Sequence, residues 1–251
     1  MDTLADTIVL RYLDYMAKEG RKPKKEQFDQ IEISLLNELT QNFVDSYAFK
    51  DLPSEVVNAS RVMSLVRQFD VIMLREILTE ALPDDFGRYG RNEFGGLLSR
   101  LRLTQLVLWD DRRKGYALDP ILRHIIGEYI CQHNSERYVL VNRRAIEVYR
   151  DWINRAGDNR GIYIVEELYQ QACLNRVTQE ISRGNQLTVR LRQRITEYHQ
   201  SDPDRRAAAL DRLYHELEDD PDLPQLIGNK GLSQLLDIVR TELENIRNHK
   251  Q

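Results

Sequence analysis

Apolar residues recur every three or four positions along most of this chain, the period that lays one stripe down a helix. Leu4, Ile8, Tyr12 and Met16 make the first stripe, and Gly20-Arg21-Lys22-Pro23 ends it. From about Lys24, the residues Phe28, Ile31, Leu35, Leu39 and Phe43 predict a second helix. It stops at Asp51-Leu52-Pro53-Ser54, because proline pushes the residue before it out of the helical region. An N-terminal helical segment over 1–51 is expected.

The spacing tightens over 52–134. Val56, Val57, Met63, Leu65 and Val66 predict one short helix, and Asp70 is placed to cap a second carrying Val71, Met73, Leu74, Ile77 and Leu78. A loop is expected from Pro83-Asp84-Asp85 through Gly87 and Gly90, and Asn92 precedes a third helix with Phe94, Leu97, Leu98 and Leu101. The β-signal follows. Leu106-Val107-Leu108-Trp109 and Tyr116-Ala117-Leu118 flank the charged run Asp110 to Lys114, and Gly115 offers positive φ for the turn. Asp119-Pro120 then restarts helix, with Ile121, Leu122, Ile125, Ile126, Tyr129 and Ile130 as its inner side. Three short helices, a hairpin and a closing helix describe a winged helix-turn-helix.

Over 135–251 the helical period returns. Ser135 is placed to cap a helix with Tyr138, Val141, Ala145, Val148 and Trp152, and Gly157 to Gly161 make a turn. Stripes follow at Ile162 to Ala172, Leu187 to Tyr198, Leu210 to Leu217 and Leu232 to Ile246, with breaks at Asp219-Asp220-Pro221 and Pro224. Consecutive antiparallel pairs of this kind stack as an α-solenoid-like array. The fold class expected is mainly α, with one β-hairpin.

Composition narrows the class. No stretch reaches the roughly 18 apolar residues of a membrane span. The start Met1-Asp2-Thr3-Leu4 has no basic, then apolar, leader, and the two cysteines, Cys131 and Cys173, make no disulfide framework. A cytoplasmic location is expected, without membrane partners. The net charge of -4 argues against a general nucleic-acid binder.

Phe69-Asp70-Val71, the run Leu97-Leu98-Ser99-Arg100-Leu101, Tyr116-Ala117-Leu118 and Asp119-Pro120-Ile121-Leu122-Arg123 sit in a recognisable order. With Arg143-Arg144-Ala145-Ile146-Glu147-Val148-Tyr149 after them, residues 52–152 resemble the winged-helix region and following helices of STAND-type signalling ATPases, the class with NB-ARC and related bacterial regulators. The resemblance implies a regulatory module that works by packing against neighbouring domains or protein partners. It also implies a nucleotide site, and there the chain departs. No G-x-x-x-x-G-K-[ST] loop occurs, and Gly228-Asn229-Lys230-Gly231 has the wrong spacing. Where the family places a histidine that contacts bound ADP, this chain has Asp119 followed by Pro120. A carboxylate there repels phosphate. The expectation is a relative that no longer binds nucleotide, or a part separated from its ATPase domain, with no cofactor.

The alternative is a winged-helix transcriptional regulator. Arg91, Arg100 and Arg102 lie on or near the third helix, and Arg112, Arg113 and Lys114 at the tip of the wing, where phosphate contacts would fall. The plainer reading of the same charges is a solvated or protein-contact face. Other chemistry is thin. His124 and Cys131 share a helix side, but His133 does not and no fourth ligand is near, so no metal is expected. No nucleophile elbow or H-E-x-x-H helix occurs, and no enzyme is expected. Trp109, Tyr116, Tyr149 and Trp152 are assigned to the core rather than to an interface. Arg190, Arg192 and Arg194 spread around one helix as a basic surface, which could clamp the acidic stretch Asp202 to Asp222.

Overall fold

The structure, a computed structural model, describes Lys18 and residues 25–155, 159–178, 183–197 and 203–248. The stripe from Leu4 to Met16 lies outside the described residues. What is described is mainly helical, with one small two-stranded antiparallel sheet. It divides into two compact units between Tyr138 and Val139. No described helix is long and apolar enough to cross a membrane.

In the first unit, α1 (Lys25–Leu39) runs into a wider π-helical segment, Thr40–Ala48. The i→i+5 bonding of that segment rotates its inner face away from the four-residue progression. Val44 is buried and Phe43, expected on the apolar stripe, is exposed with Tyr47 stacked on it. Pro53 ends the connection and α2 (Ser54–Met63) begins. Leu65 and Val66 lie past its end, in a buried turn rather than on the helix.

The next boundaries are set by short-range chemistry. The Asp70 carboxylate accepts from the N–H groups of Ile72 and Met73, both at 2.8 Å, and opens α3 (Val71–Ala81). The stretch expected as loop holds a one-turn helix, α4 (Pro83–Phe86), because Pro83 supplies a ready-made first helical position. The following helix, α5 (Arg91–Leu103), starts before Asn92. Gly90 stands at its cap, and the Glu93 carboxylate reaches back to accept the Gly90 N–H at 3.0 Å. Leu74, Ile77, Leu78, Phe86, Phe94, Leu97 and Leu101 are fully buried and form the centre of this unit.

The hairpin pairs β1 (Val107–Asp110) with β2 (Gly115–Leu118) in the register Val107↔Leu118, Asp110↔Gly115. Positive φ falls on Lys114 (56°), not on the glycine. Gly115 answers a different need. A Cβ there would stand 3.0 Å from Gln68 Oε1 and 3.2 Å from Gln68 Cβ, so the strand lies too close to the turn before Asp70 for a side chain. That closeness lets Phe69 and Tyr116 exchange both backbone hydrogen bonds, at 2.7 and 2.8 Å, which ties the outer edge of β2 to the segment between α2 and α3. The last helix of the unit, α6 (Pro120–His133), packs on β2, α1 and the π-helical segment. Ile121, expected on its inner side, is exposed at 51% because the first turn leaves the hairpin before the helix meets its neighbours.

Asn134 joins α6 to α7 (Ser135–Arg155). Its carboxamide oxygen accepts the Arg137 N–H at 3.1 Å, so the cap sits one residue before the expected Ser135. Four further helices follow: α8 (Arg160–Thr178), α9 (Arg183–Thr196), α10 (Pro203–Glu218) and α11 (Leu223–Asn248). Gly161 belongs to the first turn of α8, not to a loop, and faces the backbone of Leu213. The buried Asp220 carboxylate accepts from Asp222 and Leu223 and caps α11, with Pro224 inside its first turn. Gly228 (φ 73°) kinks α11. Leu168, Leu191, Leu210, Leu213, Leu217, Leu223 and Val239 meet in one core. α8 packs on α9, α10 and α11, and α9 on α11, around this shared core.

Candidate functional site

The basic residues of α5 and the hairpin do not form one free cationic face. Arg91 opens α5 and is exposed. Arg100 turns back to α2 and forms an ion pair with Glu55. Arg102 lies over the Tyr116 ring, its guanidinium carbon 5.2 Å from the centroid. Trp109 meets the same ring edge-on, 5.2 Å between centroids, while its indole N–H donates to Asp111 at 3.0 Å. A cation over one aromatic face with a second aromatic against it gives this side of the hairpin a fixed basic and aromatic surface.

Asp110 organises the tip. Its Oδ1 accepts from the backbone N–H of Arg112 (2.9 Å) and of Arg113 (3.0 Å), and its Oδ2 pairs with Arg113 Nη1 at 3.0 Å. Burial raises the pKa of this carboxyl. The hydrogen bonds and charge of Arg113, together with the Arg112 N–H, outweigh that and hold it below the ordinary aspartate value. Arg113 is therefore spent on the turn, and Lys114 and Arg112 are the exposed cations of the tip.

Asp119 has a local function. It caps α6, accepting from Ile121 N–H at 2.9 Å and Leu122 N–H at 3.1 Å. Those donors at a helix N-terminus are the ones an anion would otherwise use.

Exposed apolar side chains surround these charges, and periodicity gave no sign of them. Leu103 is 81% exposed at the end of α5, Leu108 is 62% exposed on β1, and Trp109, assigned to the core from sequence, is 50% exposed. The outward side of a two-stranded hairpin reads the same as its inward side when both are apolar. Tyr149, by contrast, is buried, with Trp152 and Tyr163 packed around it.

His124, Cys131 and His133 stay apart, and among the described residues no three His, Cys, Asp or Glu side chains converge as a metal site. His133 stacks on Tyr129 at 4.3 Å. The Ser99 hydroxyl donates to the Gly95 carbonyl at 3.0 Å. Gly228 to Gly231 lie at the kink of α11.

The second unit gathers charge that sequence spacing misassigned. Among the described residues, Arg190 and Arg194 do not pair with the acidic stretch ending at Asp222. They turn to Glu167 of α8, a fully buried carboxylate. Arg194 holds it with two bonds, Nε to Oε2 at 2.6 Å and Nη2 to Oε1 at 2.8 Å, and also reaches Glu197 at 2.6 Å. Arg150 Nε donates to Glu167 Oε1 at 3.0 Å, and Arg190 Nη1 approaches it at 3.5 Å. Burial lowers the Arg194 pKa, but the hydrogen bonds and charges of Glu167 and Glu197 overcome it and raise the pKa above the ordinary guanidinium value. Arg192 is exposed, and of the acidic stretch Asp220 is taken by its cap while nearby Arg206 pairs with Glu242. Glu167 was invisible in the sequence because it looks like one more surface glutamate between apolar neighbours.

No protein-family model, curated protein or solved structure matches this chain. Function must be read from its own geometry.

Proposed function

We propose that the chain is a non-catalytic regulatory or protein-interaction module of a STAND-like signalling protein, with Ser54 to His133 as a winged helix-turn-helix used for docking. The fold supports that reading through order and pairing. Three longer helices, α2, α3 and α5, with the one-turn α4 between the last two, precede a two-stranded wing, and Phe69 bridges to β2 as the short first strand of such a unit does. Asp119 supports a module without nucleotide at the wing, since its carboxylate already satisfies the start of α6.

One observation carries the choice of protein over DNA. Arg100, Arg102 and Arg113 are engaged with Glu55, Tyr116 and Asp110, whereas Leu103, Leu108 and Trp109 face outward. Phosphate contact needs unengaged cations, because affinity comes from displacing counterions. Exposed apolar and aromatic side chains instead fit burial against another protein. DNA binding remains the second reading on the exposure of Arg91, Arg112 and Lys114.

Titrating random duplex DNA by fluorescence anisotropy from 50 to roughly 200 mM salt separates the two. Weak binding that Arg112→Ala plus Arg113→Ala leaves unaltered is expected. A steep salt dependence abolished by that double substitution would transfer the assignment to DNA.

A further inference from the structure

The second unit carries more positive charge than its buried carboxylate requires. Arg194 alone gives Glu167 two short bonds, so Arg150 and Arg190 are surplus to neutralising it. Arg194 is balanced further by Glu197, and Glu147 is taken by Arg144. Arg143 makes no ion pair among the described residues. Three arginines, Arg143, Arg150 and Arg190, and one carboxylate, Glu147, line the same cavity.

The surplus is not scattered over the surface. Arg143 and Arg150 of α7 and Arg190 of α9 line one cavity of about 720 Å³, with Gln171 and Asn175 of α8 and Gln193 of α9 on its walls. That volume is in the range of small-molecule sites, about 300–1,000 Å³. Burial and the like charge of Arg150 together hold the Arg190 pKa below the ordinary guanidinium value, against the opposing charge of Glu167. An anion placed between the guanidinium groups would reverse that effect. Gln171 donates to Asn175 Oδ1 at 3.0 Å, so the two carboxamides form one polar wall of the cavity.

We propose that this cavity binds a phosphorylated small molecule, with its phosphate oxygens accepting hydrogen bonds from Arg143, Arg150 and Arg190. Phosphate suits the site better than carboxylate, since three guanidinium groups drawn from two helices call for an anion with acceptor oxygens in more than one plane. The inference is independent of the wing. Glu167, in this arrangement, positions Arg150 and Arg190 and stays out of contact with the ligand.

Isothermal titration calorimetry of the whole chain with inorganic pyrophosphate at constant ionic strength tests it, with citrate as the carboxylate arm. Saturable binding at one site per chain is expected, with citrate weaker. Arg143→Gln removes a side chain without an ion pair and should leave the melting temperature unchanged while weakening pyrophosphate about tenfold, the loss of one charge-assisted contact. Arg190→Gln should weaken pyrophosphate as much, with a small fall in melting temperature because Arg190 also approaches the buried Glu167. Arg112→Gln, at the hairpin tip, should change nothing. Absence of saturable heat, equal or tighter binding of citrate, or pyrophosphate binding insensitive to Arg143→Gln would each overturn the proposal.

Discussion

Arg113 and Arg194 both end on a carboxylate, yet the two pairs belong to different physical regimes. Arg113 meets Asp110 three residues away, on the hairpin, where both side chains keep some contact with water. Arg194 meets Glu167 twenty-seven residues away, on another helix, where the carboxylate is wholly buried. The first pair shapes a turn that hydrogen bonds already define. The second joins α8 to α9 inside a low-dielectric core, where an unpaired charge would be intolerable. A stock of arginines thus gives the first unit a locally neutralised surface and gives the second a concentrated cationic site.

The sharpest way to break that comparison is Glu167→Ala. It strands the buried Arg194 without its main partner, and a loss of roughly 3–5 kcal/mol is expected from chemical denaturation. A loss within the range of a surface pair, about 1 kcal/mol or less, would mean that the two regimes are the same. Next in size is Asp119→Ala. Removing a cap that satisfies two N–H groups should cost about 1 kcal/mol and leave pyrophosphate binding intact, as a purely structural residue requires.

Asp110→Asn sharpens the local side of the comparison through pH. The folded pKa of Asp110 is depressed from its ordinary 3.8, so its stabilising contribution is complete above that value. The contribution disappears as pH falls through the lower folded value. The stability difference between wild type and Asp110→Asn should therefore be constant near neutrality and shrink as the solution is acidified below 3.8. A difference that grows on acidification would reverse the assigned sign. The smallest effect expected is that of Arg100→Gln. Its ion pair with Glu55 joins an exposed arginine to a half-buried glutamate still in contact with water, and thermal melting should register no more than about 0.5 kcal/mol, fading with added salt.

Local chemistry was legible along the chain. Asp70 and Asp119 stand directly before the helices they cap, and the hairpin is bounded by the apolar pairs that form it. The candidate surface was legible only in part. Which residues form the hairpin followed from spacing, but whether Arg100 and Arg102 point outward depended on Glu55 and Tyr116, which are remote or lie on another element. The same limit explains Ile121 and Trp109, apolar residues that the pattern places inside and the packing leaves outside. Gly115 shows it at backbone level. Its sequence context suggests a turn conformation, whereas the constraint is the nearness of Gln68.

The amino-acid order alone determined the helical period, the hairpin and the caps, because each depends on residues within about one turn of one another. Tertiary packing decided that four helices close on a shared core, that Glu167 is buried, and that arginines from α7 and α9 line one cavity. Burial and charge pairing depend on distances through space, and residues far apart along the chain carry no periodic trace of their meeting.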